Sequence, residues 1–297
     1  MKILLGIDGS RYSLAAARFA SEYLARSGRQ VELLHVLPLA VREGAQAPRR
    51  ASESLHVPPL SRGWLDRAER RLASRGLEVT RRIRRGVPSR LIPELIAKGG
   101  YDLIVVGAKG RASNPYLPTG SVALAVLEHH APADVLLVRE RELRRERAKT
   151  TRVSPFPVVF ATDGSVRIER AAERFYELFS IPELRPVALS VAELPQAAVL
   201  AAMEAEERRQ LIRRLRTAAH AWAHASKPFL ARPGVRPQAQ VLEGRAASTI
   251  VEEARRRGAK LIVLGSRGAR SPSGPPGSVA LQVARFAPCS VLLVRER

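Results

Sequence analysis

The chain repeats itself. Ile7-Asp8-Gly9-Ser10 returns as Thr162-Asp163-Gly164-Ser165, an offset of 155 residues. DLIVVG (102–107) returns as KLIVLG (260–265) at an offset of 158. GSVAL (120–124) returns at 277–281, an offset of 157, and VLLVRER (135–141) at 291–297, an offset of 156. The four blocks keep their order while the offset drifts by three residues. One domain duplicated in tandem accounts for this, and the period is too long for a solenoid. The expected division is 1–141, a linker at 142–154, and 155–297. The linker segment is densely charged and ends just before Pro155. A chain of 297 residues fits two domains at roughly 100–200 residues each.

Within a copy, two periodicities alternate. Residues 2–7 form an apolar run closed by Asp-Gly-Ser, after which Ser10 or Asp8 can cap a helix with Leu14, Ala17, Phe19, Ala20 and Leu24 on one stripe. Strands are expected at 30–37, 77–84, 102–106 and 134–139, and helices at 62–75, 89–99 and 120–130. Four prolines mark 38–61 as a loop. The second copy places strands near 156–161, 185–191, 236–242, 260–264 and 290–295, with one long helix near 199–225. Five strands alternating with helices specify an α/β fold, a parallel sheet with helices on both faces. Ligands in such sheets bind beyond the carboxyl ends of the strands, at the point where strand order reverses. Asp8 and Asp163, His35-Val36 and Ser190-Val191, and the loops after the fourth strands fall there.

Composition excludes several classes. One cysteine, Cys289, rules out an intramolecular disulfide and a four-cysteine zinc site. No apolar run reaches about 18 residues, so no membrane span is expected. The first residues read as a strand and not as a secretory signal, and a reducing cytoplasm is the expected compartment. The net charge of +22 comes from 50 basic and 28 acidic residues. The excess is divided between the halves, with 27 basic and 15 acidic residues in 1–150. A surface of this kind attracts polyanions, although solvated arginines are the favoured reading. The arginine runs at 81–85 and 255–257 read as solvated faces. His129-His130 would offset the negative end of a helix. His220 and His224 have no third ligand beside them and read as a surface pair. Trp64 and Trp222, at matching places, read as covers for the sheet or the mouth of the site.

The loop after the fourth strand carries the chemistry. Gly107 and Gly110 let backbone approach an anion, and nine residues later Gly120-Ser121-Val122 opens a helix whose first amides are free donors. Lys109 and Arg111 add positive charge. G-x-x-x-x-G-K-[ST] and an early G-x-G-x-x-G are both absent, which excludes a P-loop nucleotidase and a dinucleotide-binding site. In the second copy Gly265 and Gly268 precede Gly277-Ser278-Val279 by eight residues, and Pro272, Pro275 and Pro276 remove amide donors.

G-x-x-G, nine residues, G-[ST], together with Asp8-Gly9-Ser10 and the terminal Ala131-Pro132 and Val135–Arg139 strand, resembles the universal stress protein family in its tandem two-domain form. The resemblance implies Rossmann-like domains of the adenine nucleotide alpha hydrolase type, each a five-stranded parallel sheet, and ATP binding in members that carry the motif, with Mg²⁺ or with AMP as variants. It implies that Asp8 holds the adenosine moiety, that backbone near Val36 contacts adenine, and that Gly110, Gly120, Ser121 and Val122 contact phosphate. Asp163, Val191, Gly265, Gly268, Gly277, Ser278 and Val279 are the candidates for the same roles in the second copy, whose departure from the motif leaves a degenerate half kept for sheet pairing as the alternative. Family dimers pair through the last strand, so the expectation is an intrachain pseudo-dimer, with further homodimerisation open. The expected function is a nucleotide-dependent sensor or regulator in the stress response, acting on an unknown protein partner. No catalytic base or nucleophile is evident, so ATP hydrolysis, if any, is expected to be slow. The alternative is a nucleotide-independent scaffold that binds a protein or, less favoured, a nucleic acid through its arginines.

Overall fold

The apolar runs become a single sheet. The computed structural model describes residues 1–38, 57–114, 116–129, 132–139, 154–165, 167–267 and 276–295. Most of the 38–61 loop, residues 142–153 of the linker, and Gly268 with most of the loop after it lie outside the described residues.

In the first half the elements are β1 (Lys2–Gly6), α1 (Arg11–Tyr23), β2 (Gln30–Leu37), α2 (Pro59–Ala73), β3 (Glu78–Arg85), α3 (Pro88–Gly99), β4 (Leu103–Gly107), α4 (Ser121–Glu128) and β5 (Asp134–Val138). In the second half they are β6 (Phe156–Thr162), α5 (Arg167–Leu178), β7 (Leu184–Ala192), α6 (Ala197–Ala201), α7 (Ala205–Leu230), β8 (Gln238–Glu243), α8 (Ala246–Arg256), β9 (Leu261–Gly265), α9 (Ser278–Phe286) and β10 (Ser290–Val294). Strand order is β3-β2-β1-β4-β5-β10-β9-β6-β7-β8. Pairing is parallel within each half.

The central strands are apolar throughout because both of their faces are covered. Ile3 and Leu5 of β1 and Leu103 and Val105 of β4 pack with residues of α1 and α2, whereas Leu4, Ile104 and Val106 pack with residues of α3 and α4. The second half divides the same way, with α5 and α7 on one face and α8 and α9 on the other.

Two boundaries differ from the sequence reading. Helix α2 starts at Pro59, inside the expected loop, because proline is pre-set for a first helical turn, where its missing N–H has no intrahelical partner to lose. The expected single helix over 199–225 is two, α6 and α7. The chain restarts at Glu204, and Glu206 and Glu207 then sit in the first turn of α7, where the helix dipole favours acids. Arg208 Nη1 donates to the Leu200 carbonyl at the end of α6, 3.4 Å away.

The halves meet at β5 and β10, which pair antiparallel with Leu136 opposite Leu292. Arg139 and Arg295 occupy the same place after these strands. The Arg139 guanidinium donates to the Ala284 and Arg285 carbonyls at the end of α9, each at 2.8 Å. The Arg295 guanidinium donates to the carbonyls of Leu127 (2.8 Å), Val126 (3.1 Å) and His129 at the end of α4. The negative end of α4 is therefore covered by an arginine of the other half. Burial pulls the Arg295 guanidinium down to about 10, against the pull of Asp134. Asp134 is 1% exposed and accepts from the Arg295 amide and from Arg174 Nε, both at 2.8 Å.

Candidate functional site

In each half the strand order reverses beside the first strand, between β1 and β4 and between β6 and β9. The crevice beyond those carboxyl ends is the expected ligand position.

In the first half the polypeptide turns sharply after β1. The Ser10 side chain caps α1 by accepting from the Ser13 amide at 3.1 Å. Asp8 therefore does not cap the helix; its Oδ1 accepts from the Ser10 amide at 2.9 Å. Its Oδ2 reaches across the crevice and accepts from the Arg111 amide at 3.0 Å. The glycines after β4 are there for space. A Cβ at Gly107 would fall 2.7 Å from the Tyr12 carbonyl carbon, and one at Gly110 would fall 2.8 Å from Asp8 Oδ2.

The amides of this loop have protein partners. Gly110 N donates to Ser113 Oγ at 2.7 Å, and Gly120 N donates to the Ala108 carbonyl at 2.8 Å. The Gly120 bond ties the start of α4 to the end of β4. Gly277 N does the same with the Ser266 carbonyl at 2.7 Å, so in both halves this amide holds the loop. Ser121 follows on the exposed side of the first turn, and Val122 is partly buried against the core. Val36 is buried near the end of β2, opposite Arg84 of β3. Trp64 of α2 packs on Gly9, and the Arg111 guanidinium lies 4.6 Å above the Trp64 ring. The Trp64 ring is also 6.1 Å from that of His35, whose Nδ1 donates to the Ile7 carbonyl at 2.6 Å. Arg111 is thus stacked on an indole, an arrangement that residue spacing did not disclose.

In the second half the corresponding crevice is a cavity of about 590 Å³. Asp163, Val191, Gly265, Gly277, Ser278 and Val279 all line it, together with Arg267 and Trp222. Trp222 of α7 packs on Gly164 as Trp64 packs on Gly9. Asp163 Oδ1 accepts from the Ser165 amide at 3.2 Å, the turn made by Asp8 in the first half. The lining is chemically mixed. Gly277-Ser278, at the start of α9, and Arg267 bring positive charge to it. Leu189, Val191, Leu215, Trp222 and Ile250 are its apolar members, and Asp163 and Glu193 its acidic ones. This volume lies within the usual range of small-molecule sites, roughly 300–1,000 Å³.

Sequence reasoning missed Glu193, Ser113 and Thr119. Thr119 Oγ1 donates to the Arg285 carbonyl at 2.9 Å, joining the first-half loop to α9. The repeat alignment carries one signal for Glu193, since the matching position in the first half is Pro38. His220 and His224 stack on one face of α7, with centroids 6.5 Å apart. No cluster of three metal-ligating side chains exists among the described residues, nor is any described helix long and apolar enough to cross a membrane. Cys289 is buried, 1% exposed.

Comparison with known proteins agrees with this architecture. The family model described as "Universal stress protein family" matches twice, over residues 1–139 and 156–295. A universal stress protein of Mycolicibacterium smegmatis is 27% identical over 305 residues, which cover 99% of this chain and 97% of the relative. A universal stress protein from Archaeoglobus fulgidus superposes with a TM-score of 0.53 at 19% identity, covering 99% of this chain and 96% of that one. A functionally unknown protein from Pseudomonas aeruginosa PAO1 gives 0.52 at 16% identity, covering 99% and 92%. At these identities the two structures speak for the fold alone. The family match over both halves means that the chain belongs to the universal stress protein family, as two domains in tandem.

Proposed function

We propose that this protein binds ATP or a related adenine nucleotide and works as a nucleotide-dependent regulator in the stress response. The observation that carries the reading is the cavity of about 590 Å³ that gathers Asp163, Val191, Gly265, Gly277, Ser278 and Val279. The phosphates lie at the start of α9 beside Arg267, where free helix amides and a guanidinium favour anions. The nucleoside lies in the apolar part, under Trp222. Mg²⁺, where present, would travel with the phosphates. AMP fits the same lining, with one phosphate in place of three.

The first half offers the same elements in an engaged state. A phosphate there competes with the Asp8 carboxylate for the Arg111 amide and with Ser113 for the Gly110 amide. The β5–β10 pairing supports an intrachain pseudo-dimer that presents both crevices from one sheet. Ordering of a crevice loop by nucleotide would change the surface shown to a protein partner, because ATP favours whichever loop state it binds better.

Isothermal titration with ATP, with and without Mg²⁺, tests the reading. Arg267→Ala should weaken the second-half site about tenfold to a hundredfold, the value of about 1.5–3 kcal/mol for a hydrogen bond to a charged group. Lys109→Ala, at the matching position in the first half, should leave that site unchanged. Absence of heat in the unmodified protein would refute nucleotide binding and leave the scaffold alternative.

A further inference from the structure

The sheet ends on two edges, β3 and β8. An edge strand presents a row of N–H and C=O groups to whatever lies beside it. In β3 the Glu78 amide donates to the Arg29 carbonyl and the Gly86 amide to the Leu37 carbonyl, both at 3.0 Å. Successive residues of a strand turn these groups to opposite sides, so Val79, Arg81, Ile83 and Arg85 turn theirs away from β2. No strand pairs with them among the described residues. The side chains of β3 straddle this edge. Arg81 pairs with Asp66 and Glu69 of α2 on one face of the sheet, and Arg82 pairs with Glu32 of β2 on the other. Arg84 and Arg85 are exposed, one toward each face, and neither has a carboxylate partner among the described residues. Arg84 Nη1 turns back to the Ile83 carbonyl, 3.0 Å away. The β8 edge is different, because its polar side chains are engaged from within. Arg257 donates to the Gln238 and Gln240 side chains, and Arg216 makes two hydrogen bonds to Glu243, at 2.6 and 3.1 Å.

The charge of the β3 edge decides what can add to it. A second copy joining β3 to β3 would set arginine against arginine, and like charges directly opposite are destabilising. The longer segments of this chain outside the described residues are no better matched. Residues 39–56 hold three arginines against two glutamates, and residues 140–153 hold six basic residues against three acidic ones. We propose that β3 takes an extended acidic segment of another protein as an added strand. The backbone of that segment pairs with the outward groups of Val79, Arg81, Ile83 and Arg85. Neighbouring side chains of a strand point to opposite faces, so two consecutive acidic residues reach Arg84 and Arg85 together. Main-chain hydrogen bonds supply the affinity and the two arginines the selection. The inference stands apart from nucleotide binding, since no group of the second-half cavity takes part. Arg84 lies opposite Val36, so the added strand is one strand removed from the end of β2 at the first crevice.

The probe is a dye-labelled, end-capped peptide of alternating threonine and valine with two adjacent glutamates at its centre. Its binding to the full chain is followed by fluorescence anisotropy at low ionic strength. It should bind about threefold to tenfold more tightly than the same peptide with two glutamines, the effect of two exposed ion pairs. Arg85→Ala and Arg85→Pro remove the same charge, but the proline also removes an outward amide. Arg85→Pro should therefore bind the peptide at least about threefold more weakly than Arg85→Ala. Arg84→Glu combined with Arg85→Glu should reverse the preference, toward a matching lysine peptide, and this variant keeps the test if proline disturbs the strand. Circular dichroism checks that each variant retains its sheet. Equal binding of the glutamate and glutamine peptides, or no reversal in the double variant, would overturn the proposal. Equal binding by intact Arg85→Ala and Arg85→Pro would overturn strand addition. Tighter binding of single-stranded oligothymidylate, lost in the double variant, would give the edge to nucleic acid. Self-association of the unmodified chain, lost in the same variant, would give it to a second copy; either result overturns the proposal.

Discussion

Asp134 is the most consequential single group in the seam between the halves. Its carboxylate is 1% exposed and accepts from the Arg295 amide and Arg174 Nε. Arg174 is 13% exposed at its side chain, and Arg295 is 5% exposed. Asp134→Ala leaves Arg174 with only the exposed Glu177 as an ion-pair partner and takes an opposing charge from beside the buried Arg295 guanidinium. Removing one partner of a buried pair costs about 3–5 kcal/mol. That is a large share of a stability of about 5–15 kcal/mol. The duplication supplies an internal control. Ser290 is the matching residue of the second half, fully buried, and its Oγ accepts from the Arg139 amide at 3.2 Å. Ser290→Ala removes a neutral acceptor, at about 1 kcal/mol. Urea unfolding followed by circular dichroism should therefore move the Asp134→Ala midpoint several times further than the Ser290→Ala midpoint. Equal shifts, or an Asp134→Ala cost below about 1 kcal/mol, would show that the seam is not held by charge.

Two further consequences follow from local geometry. Hydrogen bonding from Arg256, reinforced by Arg257, holds the Glu253 carboxyl below its ordinary value of 4.5 against the opposing effect of burial. Its contribution is fully present above 4.5 and is lost as pH falls through the lower folded value, so Glu253→Gln should flatten the acid limb of thermal stability below that pH. Gly164 has φ +80°, and a Cβ there would fall 2.1 Å from Trp222 Nε1. Gly164→Ala should therefore cost about 1–2 kcal/mol in backbone strain alone and shift the tryptophan fluorescence, whereas unchanged emission would mean that Trp222 does not cover this turn.

What the sequence made legible is what short-range pattern encodes. Buried parallel strands are continuous apolar runs, so β1, β4, β6, β9 and β10 announce themselves, and the repeated blocks announce the duplication. The break before α7 was hidden because Ala201, Ala202 and Met203 are all compatible with an unbroken helix. Glycine spacing located the loops but not the state of their amides. Gly110 N meets Ser113 Oγ and Arg111 N meets Asp8 Oδ2 through contacts that depend on the turn of the loop and on a strand 100 residues away. The crossed arginine caps were illegible for the same reason. The repeated VLLVR marks Arg139 and Arg295 as equivalent, but only antiparallel β5–β10 pairing sends each to the helix end of the other half.

The two halves share a plan and differ in what fills it. In both, the fourth-strand loop is pinned by the Gly120 or Gly277 amide, so that contact cannot distinguish them. In the first half Asp8 turns onto the Arg111 amide, Ser113 onto the Gly110 amide, and Arg111 lies on Trp64. In the second half Arg267 and Glu193 both line the cavity, where the first half has Lys109 and Pro38 at the matching positions. An anion entering the first half would return Asp8 and Ser113 to water as it took over their amides, so its net penalty would be a small difference between exchanged hydrogen bonds. About 1.4 kcal/mol of such difference is already tenfold in affinity. Two copies of one crevice on a common sheet can therefore be tuned apart by a few side chains without any change of fold.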